Sequence, residues 1–328
     1  MPAEAPIRVA VLSFWHVHAG DYAAAAARHP NTELVAVWDD DADRGRAGAA
    51  QFGVEFVADL DTLLARGDID AVTITTSTKE HLDVMVKAAK AGKHIFTEKL
   101  LAPTVAAAEE IIRACDDNGV KLIVSLPRLY HGYTQVVEDV LADGRLGTVS
   151  YSRVRLSHDG AVANWLPPQF YDLDATFGLA LADLGCHPVY LTQLILGPTP
   201  KTISSTYTYI TGHAVDDNAV VTVTYSGGAI GVIEAGVVSP DPFLIEIGGT
   251  KGWLSYSEHN DEVTVALKGH EIEHLPVPDD QPNAFSQWVG HIQNGTRADD
   301  NLARALELTR LVAAANNAAH TGNTEDYR

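Results

Sequence analysis

The chain has 328 residues, more than the roughly 250–300 at which a single hydrophobic core stops growing, so two domains are expected. Its 43 acidic and 23 basic side chains give a formal net charge of −20, which argues against nucleic acid and anionic membranes as partners. Two cysteines are too few for a disulfide framework. Because the sequence shows neither a membrane-length apolar run nor a signal-peptide pattern, we expect a cytoplasmic protein.

Residues 1–125 alternate short apolar runs with helical patterns. The apolar runs predict buried strands at 7–12, 33–38, 53–57, 69–75, 94–97 and 121–126. The helical patterns lie at 21–28, 42–52, 60–66, 79–91 and 103–118. Apolar strands separated by helices are typical of a parallel sheet covered on both faces. Right-handed crossovers then predict a doubly wound, Rossmann-type dinucleotide-binding domain.

Residues 126–328 have a different pattern, in which strands dominate. Strand patterns cover 148–157, 202–211, 218–225, 229–238, 243–248, 253–257 and 262–268. Helical patterns cover 131–142, 181–196, 285–294 and 301–320. This order predicts an α+β domain with a large open, mostly antiparallel sheet, so that the whole chain is of the α/β class. We expect this domain to bind substrate and to support oligomerisation, and its C-terminal helix can pack back on the first domain.

The turn after the first strand is where a phosphate-binding loop should lie. The usual fingerprint is G-x-G-x-x-G, whose glycines let the backbone approach a pyrophosphate. Ser13, Trp15 and His18 occupy the three glycine places, so this segment alone argues against a dinucleotide. The position of the loop nevertheless leads us to assign Ser13, Phe14, Trp15 and His16 to a cofactor site.

The end of the second strand supports that assignment. Asp39 follows the loop at close to the ~20-residue spacing of the acid that binds the adenosine ribose. A carboxylate at Asp39 or Asp40 accepts hydrogen bonds from the ribose hydroxyls and repels a 2′-phosphate, which favours NAD over NADP. Arg44 weakens this preference because it lies nearby. The alternative is that residues 39–41 only form a solvated helix start.

Two further segments hold residues suited to chemistry on a hydroxyl group. Lys99 stands at the exit of the apolar run 94–97, and Asp183 and His187 lie one turn apart in a predicted helix. A lysine, an aspartate and a histidine that converge can hold an alcohol, take its proton and stabilise the developing negative charge. The pattern is that of a dehydrogenase.

Six ordered segments extend this pattern over nearly the whole chain. They are 75–81, 91–99, 124–128, 183–188, 248–252 and 303–308. Together they resemble the glucose–fructose oxidoreductase, inositol dehydrogenase and rhizopine-catabolism (Gfo/Idh/MocA) family. The resemblance implies a nicotinamide cofactor and reversible oxidation of a hydroxyl on a sugar, polyol or related compound. It also implies a homodimer or homotetramer.

The resemblance implies a role for four residues. Lys99 bridges the cofactor ribose and the reacting hydroxyl. His187 is the general base in oxidation or the acid in reduction, and Asp183 orients or charge-balances the pair. Arg128 lies near the nicotinamide and the substrate. Leu100 replaces the proline that follows the lysine in the family pattern.

Polar residues at the carboxyl end of the strand 69–75 complete the predicted cofactor site. Thr75, Thr76 and Ser77 stand where ligands bind in doubly wound sheets. The alternative, a Ser/Thr loop that only caps the following helix, applies to Thr78. His81 of the same motif is assigned with them. Glu98 either accepts from a ribose hydroxyl or pairs with a basic side chain.

The loop 158–177 is a source of substrate contacts, because its side chains combine apolar faces with polar tips. The candidates are His158, Trp165, Tyr171 and Asp172. Trp165 is either a stacking platform for a sugar or part of the core. The His16-x-His18 pair has no third ligand at a suitable spacing, so no metal is expected.

The sequence therefore predicts an NAD(H)-dependent oxidoreductase for a sugar or polyol. Two alternatives remain. One is a redox-neutral enzyme of the same fold that keeps NAD bound and cleaves a glycosidic bond after transient oxidation. The other is a sensor or binding protein that no longer holds a cofactor, which the loss of the loop glycines favours.

Overall fold

Two units make up residues 5–327, the part of the chain that the computed structural model describes. The first unit combines the chain up to Ser125 with the segment Pro282–Leu306. The second combines Leu126–Gln281 with the residues from Glu307 onward. A segment close to the end of the sequence therefore belongs to the N-terminal unit.

The first unit is built on a six-stranded parallel sheet. Its strands are β1 (Ile7–Leu12), β2 (Thr32–Trp38), β3 (Glu55–Phe56), β4 (Ala71–Ile74), β5 (His94–Thr97) and β6 (Leu122–Val124). They lie in the order β3-β2-β1-β4-β5-β6, and Leu12 at the end of β1 pairs with Trp38 and Ile74. Every residue of β4 is buried, as expected for a strand covered on both faces. The predicted doubly wound sheet is confirmed.

Helices connect these strands. They are α1 (Ala19–Arg28), α2 (Ala42–Phe52), α3 (Leu60–Leu64), α4 (His81–Lys90) and α5 (Val105–Asp117). Asp41, Asp59 and Thr104 cap α2, α3 and α5 by accepting hydrogen bonds from main-chain N–H groups of the first turn. A single 3₁₀ turn, Thr78–Glu80, precedes α4.

The segment Pro282–Leu306 completes the first unit. It contains α9 (Ala284–Asn294) and the start of α10 (Asp299–Thr321). Trp288 Nε1 donates to the carbonyl of Lys121 at 3.2 Å. The Asn301 side chain accepts from the main-chain N–H of Val124 and donates to its carbonyl, both at 2.9 Å. Because β6 is an edge strand, Asn301 satisfies groups that a further strand would otherwise bind.

The second unit is built on a nine-stranded sheet. Its strands are β7 (Val149–Ser157), β8 (Thr202–Thr208), β9 (Asn218–Thr224), β10 (Ile230–Gly236), β11 (Leu244–Gly249), β12 (Gly252–Ser257), β13 (Glu262–Leu267), β14 (Glu273–Pro276) and β15 (Glu325–Asp326). Their order is β14-β13-β12-β11-β7-β10-β9-β8-β15. Within this sheet, β7 and β10 are the only described strands that pair in parallel, so the predicted mostly antiparallel sheet is confirmed.

The helical segments of the second unit differ from the sequence prediction. They are α6 (Gly132–Ala142), α7 (Leu173–Thr176), α8 (Cys186–Leu196), two 3₁₀ turns at Pro127–Tyr130 and Pro168–Tyr171, and a π-helix at Ala180–Leu184. The predicted single helix 181–196 is thus two pieces, and the predicted loop 158–177 contains short helical turns. Within residues 5–327 no single helix is long and apolar enough to span a membrane; Leu173–Leu184 and Cys186–Leu196, bent by 51°, meet that test only together.

Candidate active site

The turn after β1 keeps a glycine-type backbone without a glycine. Ser13 has φ = 76°, in the left-handed region that glycine normally occupies. Its N–H donates to the Trp38 carbonyl at 2.6 Å, and its carbonyl accepts from Thr75 Oγ1 at 2.5 Å. Two neighbouring strands therefore hold Ser13 in a conformation that its side chain disfavours.

Of the large side chains of this turn, Phe14 packs on residues of the first unit and Trp15 is buried. The Phe14 ring lies against Gly48, where an added Cβ would come within 2.5 Å of the ring, and its centroid is 6.2 Å from that of Phe52. Trp15 is only 8 % exposed. Trp15, at a glycine place of the fingerprint, and its neighbour Phe14 thus bring bulky, well-packed side chains into a turn that is usually glycine-rich.

The main-chain N–H groups of the turn are largely used inside the protein. Those of Trp15 and His18 donate to side chains within the turn, Ser13 Oγ at 3.1 Å and His16 Nδ1 at 3.2 Å. That of His16 donates to the Thr75 carbonyl at 3.1 Å. In a glycine-rich loop such N–H groups bind phosphate, whereas in this turn they form hydrogen bonds within the protein.

Asp39 is bound on all sides by groups of the first unit. Its side chain is fully buried, and its two oxygens accept from Arg44 at 2.6 and 3.0 Å. They also accept from the main-chain N–H groups of Phe14 at 2.6 Å and Asp41 at 2.9 Å. A carboxylate has about four acceptor positions, and all are occupied here. Asp39 therefore links the turn after β1 to α2, and its predicted role toward a ribose stays a prediction.

Asp40 is the more accessible of the two predicted acids. Its side chain is 41 % exposed, and its Oδ1 accepts from Arg44 at 2.7 Å. Partial burial and the negative charges of Asp39 and Glu80 raise the pKa of Asp40, and Arg44 opposes them. Arg44 thus lies between two carboxylates, which neutralise its charge.

The predicted polar residues after β4 are all buried. Ser77 Oγ donates to the Glu80 carboxylate at 2.9 Å. Thr76 Oγ1 has no hydrogen-bond partner among the described residues, although its residue is 2 % exposed. A buried hydroxyl without a partner is costly, which makes Thr76 the strongest candidate of the three for a ligand contact.

His81 has one nitrogen bound and one without a partner. Its Nδ1 lies 2.9 Å from the Leu100 carbonyl and 3.2 Å from that of Leu101, so Nδ1 carries a hydrogen. The peptide bond between Lys99 and Leu100 is cis. Burial lowers the pKa of His81 to about 4, which leaves the ring neutral. Its Nε2, buried and unpaired among the described residues, is therefore an acceptor for a donor such as a hydroxyl.

Glu98 and Lys99 form a buried ion pair at the end of β5. Lys99 Nζ lies 2.8 Å from Glu98 Oε1, and both side chains are 2 % exposed. The Tyr22 hydroxyl hydrogen-bonds the Glu98 carboxylate and lies 2.8 Å from Ser125 Oγ. Burial alone would raise the pKa of Glu98, but the positive charge of Lys99, together with its hydrogen bond, leads the effects that lower that pKa overall. Of the two roles considered for Glu98, the structure has the pairing with a basic side chain.

His16, His18 and Glu98 come close enough to suggest a metal centre. One candidate ligand atom from each residue lies within 4.8 Å of the other two. Glu98 could therefore serve as the third ligand, which the sequence spacing of the two histidines did not reveal. However, His16 Nδ1 accepts a hydrogen bond from the His18 N–H, so the neutral ring carries its hydrogen on Nε2. A metal on Nε2 would require the opposite tautomer. Glu98 is bound by Lys99 and by the Tyr22 hydroxyl, and the absence of a metal stays a prediction.

In the second unit, Asp183 and His187 lie on different helical segments. Asp183 belongs to the π-helix Ala180–Leu184 and His187 to α8. Gly185 joins them, and an added Cβ there would lie 2.7 Å from the Leu181 carbonyl oxygen. Asp216 holds the start of the π-helix by accepting from the N–H groups of Leu179 and Leu181. Single π-turns recur at functional sites, and here one changes the expected spacing of the two catalytic candidates.

His187 is linked to Arg128 through a tyrosine that the sequence argument missed. The Tyr190 hydroxyl lies 2.8 Å from His187 Nδ1 and accepts from the Arg128 main-chain N–H at 3.0 Å. The Arg128 guanidinium lies 4.1 Å from the Phe243 ring centroid and donates to the Tyr133 hydroxyl at 3.1 Å. The i,i+3 spacing of His187 and Tyr190 in a helical pattern was the available signal.

Trp165 packs against His158 at one end of the loop 158–177. The Trp165 side chain is half exposed, and its ring centroid is 4.6 Å from that of His158. Burial lowers the pKa of His158, and the negative charge of Asp183 opposes that shift. Core packing therefore does not account for Trp165. Asp172, by contrast, caps α7.

The chain matches the sequence models of one family over both units. Residues 14–126 match the model described as an oxidoreductase family with an NAD-binding Rossmann fold. Residues 134–255 match the GFO/IDH/MocA C-terminal domain.

Named relatives match this chain over most of its length. The D-apiose dehydrogenase of Paraburkholderia graminis is 25 % identical, and the match covers 90 % of this chain and 83 % of that protein. A dTDP-3,4-didehydro-2,6-dideoxy-alpha-D-glucose 3-reductase of Streptomyces violaceoruber is 27 % identical over 90 % of both. Levoglucosan dehydrogenase, solved with NADH and levoglucosan, shares the fold with a TM-score of 0.84 and 17 % identity, over 98 % of this chain and 99 % of that one.

These relatives are dehydrogenases and reductases of sugars, and the comparisons support neither the redox-neutral nor the cofactor-free alternative. With the six-stranded parallel sheet, the large mixed sheet and the matches to both family models, the chain belongs to the GFO/IDH/MocA family of oxidoreductases, which act on CH–OH groups.

Proposed function

We propose that this enzyme transfers a hydride between NAD(H) and the hydroxyl- or carbonyl-bearing carbon of a sugar or polyol. The observation that carries the proposal is the buried Glu98–Lys99 pair, with Nζ and Oε1 2.8 Å apart. Burying an ion pair is costly, and a side chain kept charged in the interior is typical of a catalytic site. The sugar-acting relatives support the substrate class.

The residues of the first unit fit a nicotinamide nucleotide. Thr76 Oγ1 and His81 Nε2 are buried and unpaired within residues 5–327, and both stand after β4, at the edge where doubly wound sheets bind nucleotides. They offer a hydroxyl and a neutral acceptor to the hydroxyls and amide of such a ligand. The turn after β1, with its N–H groups used internally, gives the diphosphate few main-chain donors.

We further propose that the cofactor is NAD and not NADP. Asp40 is the exposed acid beside the turn and takes the ribose-binding role predicted for Asp39. Arg44 is the cation that could have accepted a 2′-phosphate, but Asp39 and Asp40 already pair with it. Adding a phosphate there would place a third negative group beside two carboxylates.

When bound, the nicotinamide supplies the hydride acceptor or donor. Lys99 Nζ hydrogen-bonds the reacting oxygen and exchanges a proton with it, and Glu98 favours the charged ammonium. In the second unit, Asp183 and His187 contact the substrate. Arg128 and Trp165 contribute to substrate binding, Arg128 through its guanidinium and Trp165 through its half-exposed ring.

The test combines cofactor binding with substrate screening. Titration calorimetry with NAD⁺, NADH, NADP⁺ and NADPH should show the tighter binding for the NAD pair. A panel of sugars and polyols, followed by nicotinamide absorbance, should then show net reduction or oxidation with at least one compound. Binding of no nicotinamide nucleotide would overturn the proposal, and tighter binding of NADP(H) would overturn the cofactor preference.

A further inference from the structure

Tyr190 places a single hydroxyl between a main-chain donor and His187. The residue is 1 % exposed. Its oxygen lies 3.0 Å from the Arg128 nitrogen and 2.8 Å from His187 Nδ1. Both distances are those of good hydrogen bonds, and both partners belong to the second unit.

The donor at Arg128 fixes the direction of the hydroxyl hydrogen. A main-chain N–H can only donate, so it takes a lone pair of the Tyr190 oxygen. Burial raises the pKa of Tyr190 well above its usual value, so the phenol keeps its proton. Among the described residues the hydroxyl has no third hydrogen-bond partner, and a buried O–H without an acceptor is costly. The hydrogen therefore points to His187 Nδ1.

We propose that Tyr190, oriented by the Arg128 main chain, holds neutral His187 as the tautomer with its hydrogen on Nε2. His187 then donates a hydrogen bond to the reacting oxygen and does not act as its base, which revises the role expected from the sequence. Tyr190 is a positioning residue. The inference rests on the proposed function only for its catalytic meaning, because the tautomer itself is a property of the second unit.

The proton balance of the reaction follows from this tautomer. An Nε2 that already carries hydrogen cannot accept the proton of an alcohol. In oxidation, with a bound nicotinamide to take the C–H hydride, a C=O bond would form while the O–H proton passes to Lys99 Nζ and Lys99 passes its own hydrogen to the Glu98 carboxylate 2.8 Å away. In reduction, the Lys99 ammonium returns the proton to the carbonyl oxygen as NADH supplies the hydride. His187 keeps its hydrogen in both directions.

The tautomer can be measured without substrate or cofactor. In protein labelled with [¹⁵N]histidine, long-range ¹H–¹⁵N correlation distinguishes the protonated from the unprotonated ring nitrogen, and His187→Gln identifies the signals by their loss. The expected result is an unprotonated Nδ1 and a protonated Nε2. A protonated Nδ1 in the neutral ring of the wild-type protein would overturn the proposal.

Two variants separate positioning from packing. Tyr190→Phe should give His187 a mixture of tautomers and lower kcat about tenfold, with KM changed less than about twofold. Tyr133→Phe, which also removes a buried phenol oxygen near Arg128, should leave the His187 signals unchanged. An unchanged tautomer in Tyr190→Phe would contradict the proposal, and if that variant does not fold, the wild-type spectrum still decides it. Absence of nicotinamide binding would instead count against the proposed function.

Discussion

The turn after β1 in the first unit and the segment around Asp183 in the second depart from expectation in opposite ways. The turn has lost every fingerprint glycine, yet Ser13 adopts the left-handed backbone that a glycine would supply. The segment 183–187 keeps its expected residues, yet a π-helix and Gly185 change the backbone beneath them. The residue types of a motif predict the chemistry of its side chains. The backbone conformation of the same segment depends on contacts with other parts of the unit.

Those contacts differ in kind between the two regions. The turn is held by charges and main-chain groups, with Asp39 and Thr75 as its anchors. The segment 183–187 is held by a buried acid, Asp216, and by close helix packing at Gly185. Substitutions in each region should therefore separate the effects of chemistry, charge and backbone.

The largest effect is expected from Lys99→Ala. Removing Nζ removes both the positioning of the reacting oxygen and its proton donor, so kcat/KM should fall on the order of 10³–10⁴-fold. The measurement is nicotinamide absorbance with the best substrate from the panel. Lys90→Ala, which removes an exposed lysine of the same unit, should stay within about twofold of the wild type. A Lys99→Ala variant with near-normal turnover would exclude Lys99 from the chemistry.

A matched pair, Asp39→Asn and Asp40→Asn, tests which acid is structural. Asp39→Asn leaves Arg44 without its buried partner and should lower the free energy of unfolding by about 3 kcal/mol, measured by urea denaturation. Asp40→Asn should change stability by less than about 0.5 kcal/mol, because its side chain is exposed. It should instead weaken NAD⁺ binding about tenfold in calorimetry. If Asp39→Asn weakened NAD⁺ binding and Asp40→Asn lowered stability, Asp39 would be the acceptor of the ribose hydroxyls.

His81 should make the stability of the first unit depend on pH. Its pKa is lowered by burial from 6.5 to about 4, so the unfolded chain binds the proton first as the pH falls. The wild type should lose about 3 kcal/mol of unfolding free energy between pH 6.5 and pH 4 in excess of His81→Asn. Asparagine can keep a donor toward the Leu100 carbonyl without titrating. The exposed His270→Asn should follow the wild-type curve.

The smallest effect is expected from Ser13→Gly. Glycine relieves the cost of the left-handed backbone, about 1–2 kcal/mol, but loses the hydrogen bond from Trp15 N–H to Ser13 Oγ. The two changes oppose each other, so stability should change by about 1 kcal/mol or less and the Kd for NAD⁺ by less than about threefold. Tighter binding by tenfold or more would mean that the serine side chain, and not the backbone, limits the cofactor.

Much of the fold and the chemical residues could be predicted from local patterns. The strands and helices of the first unit follow from apolar periodicity, and Glu98 and Lys99 from their place after a buried run. The fate of Asp39 could not be predicted, because it depends on Arg44 and on an N–H group from another strand. Tyr190 was missed because its role depends on a main-chain donor that is remote in sequence.

The side chain of Asn301 closes the edge of β6, and this has a consequence for how the protein is made. Asn301 lies 177 residues after Val124, so the ribosome must synthesise that length before the edge is satisfied. At about 5–20 residues per second this takes roughly 10–35 s. During that time the nascent first unit presents an open strand, and a fragment ending near Ser125 would keep it open permanently. We therefore expect the N-terminal half to need the segment 282–306, supplied in cis or as a peptide, to fold without aggregating.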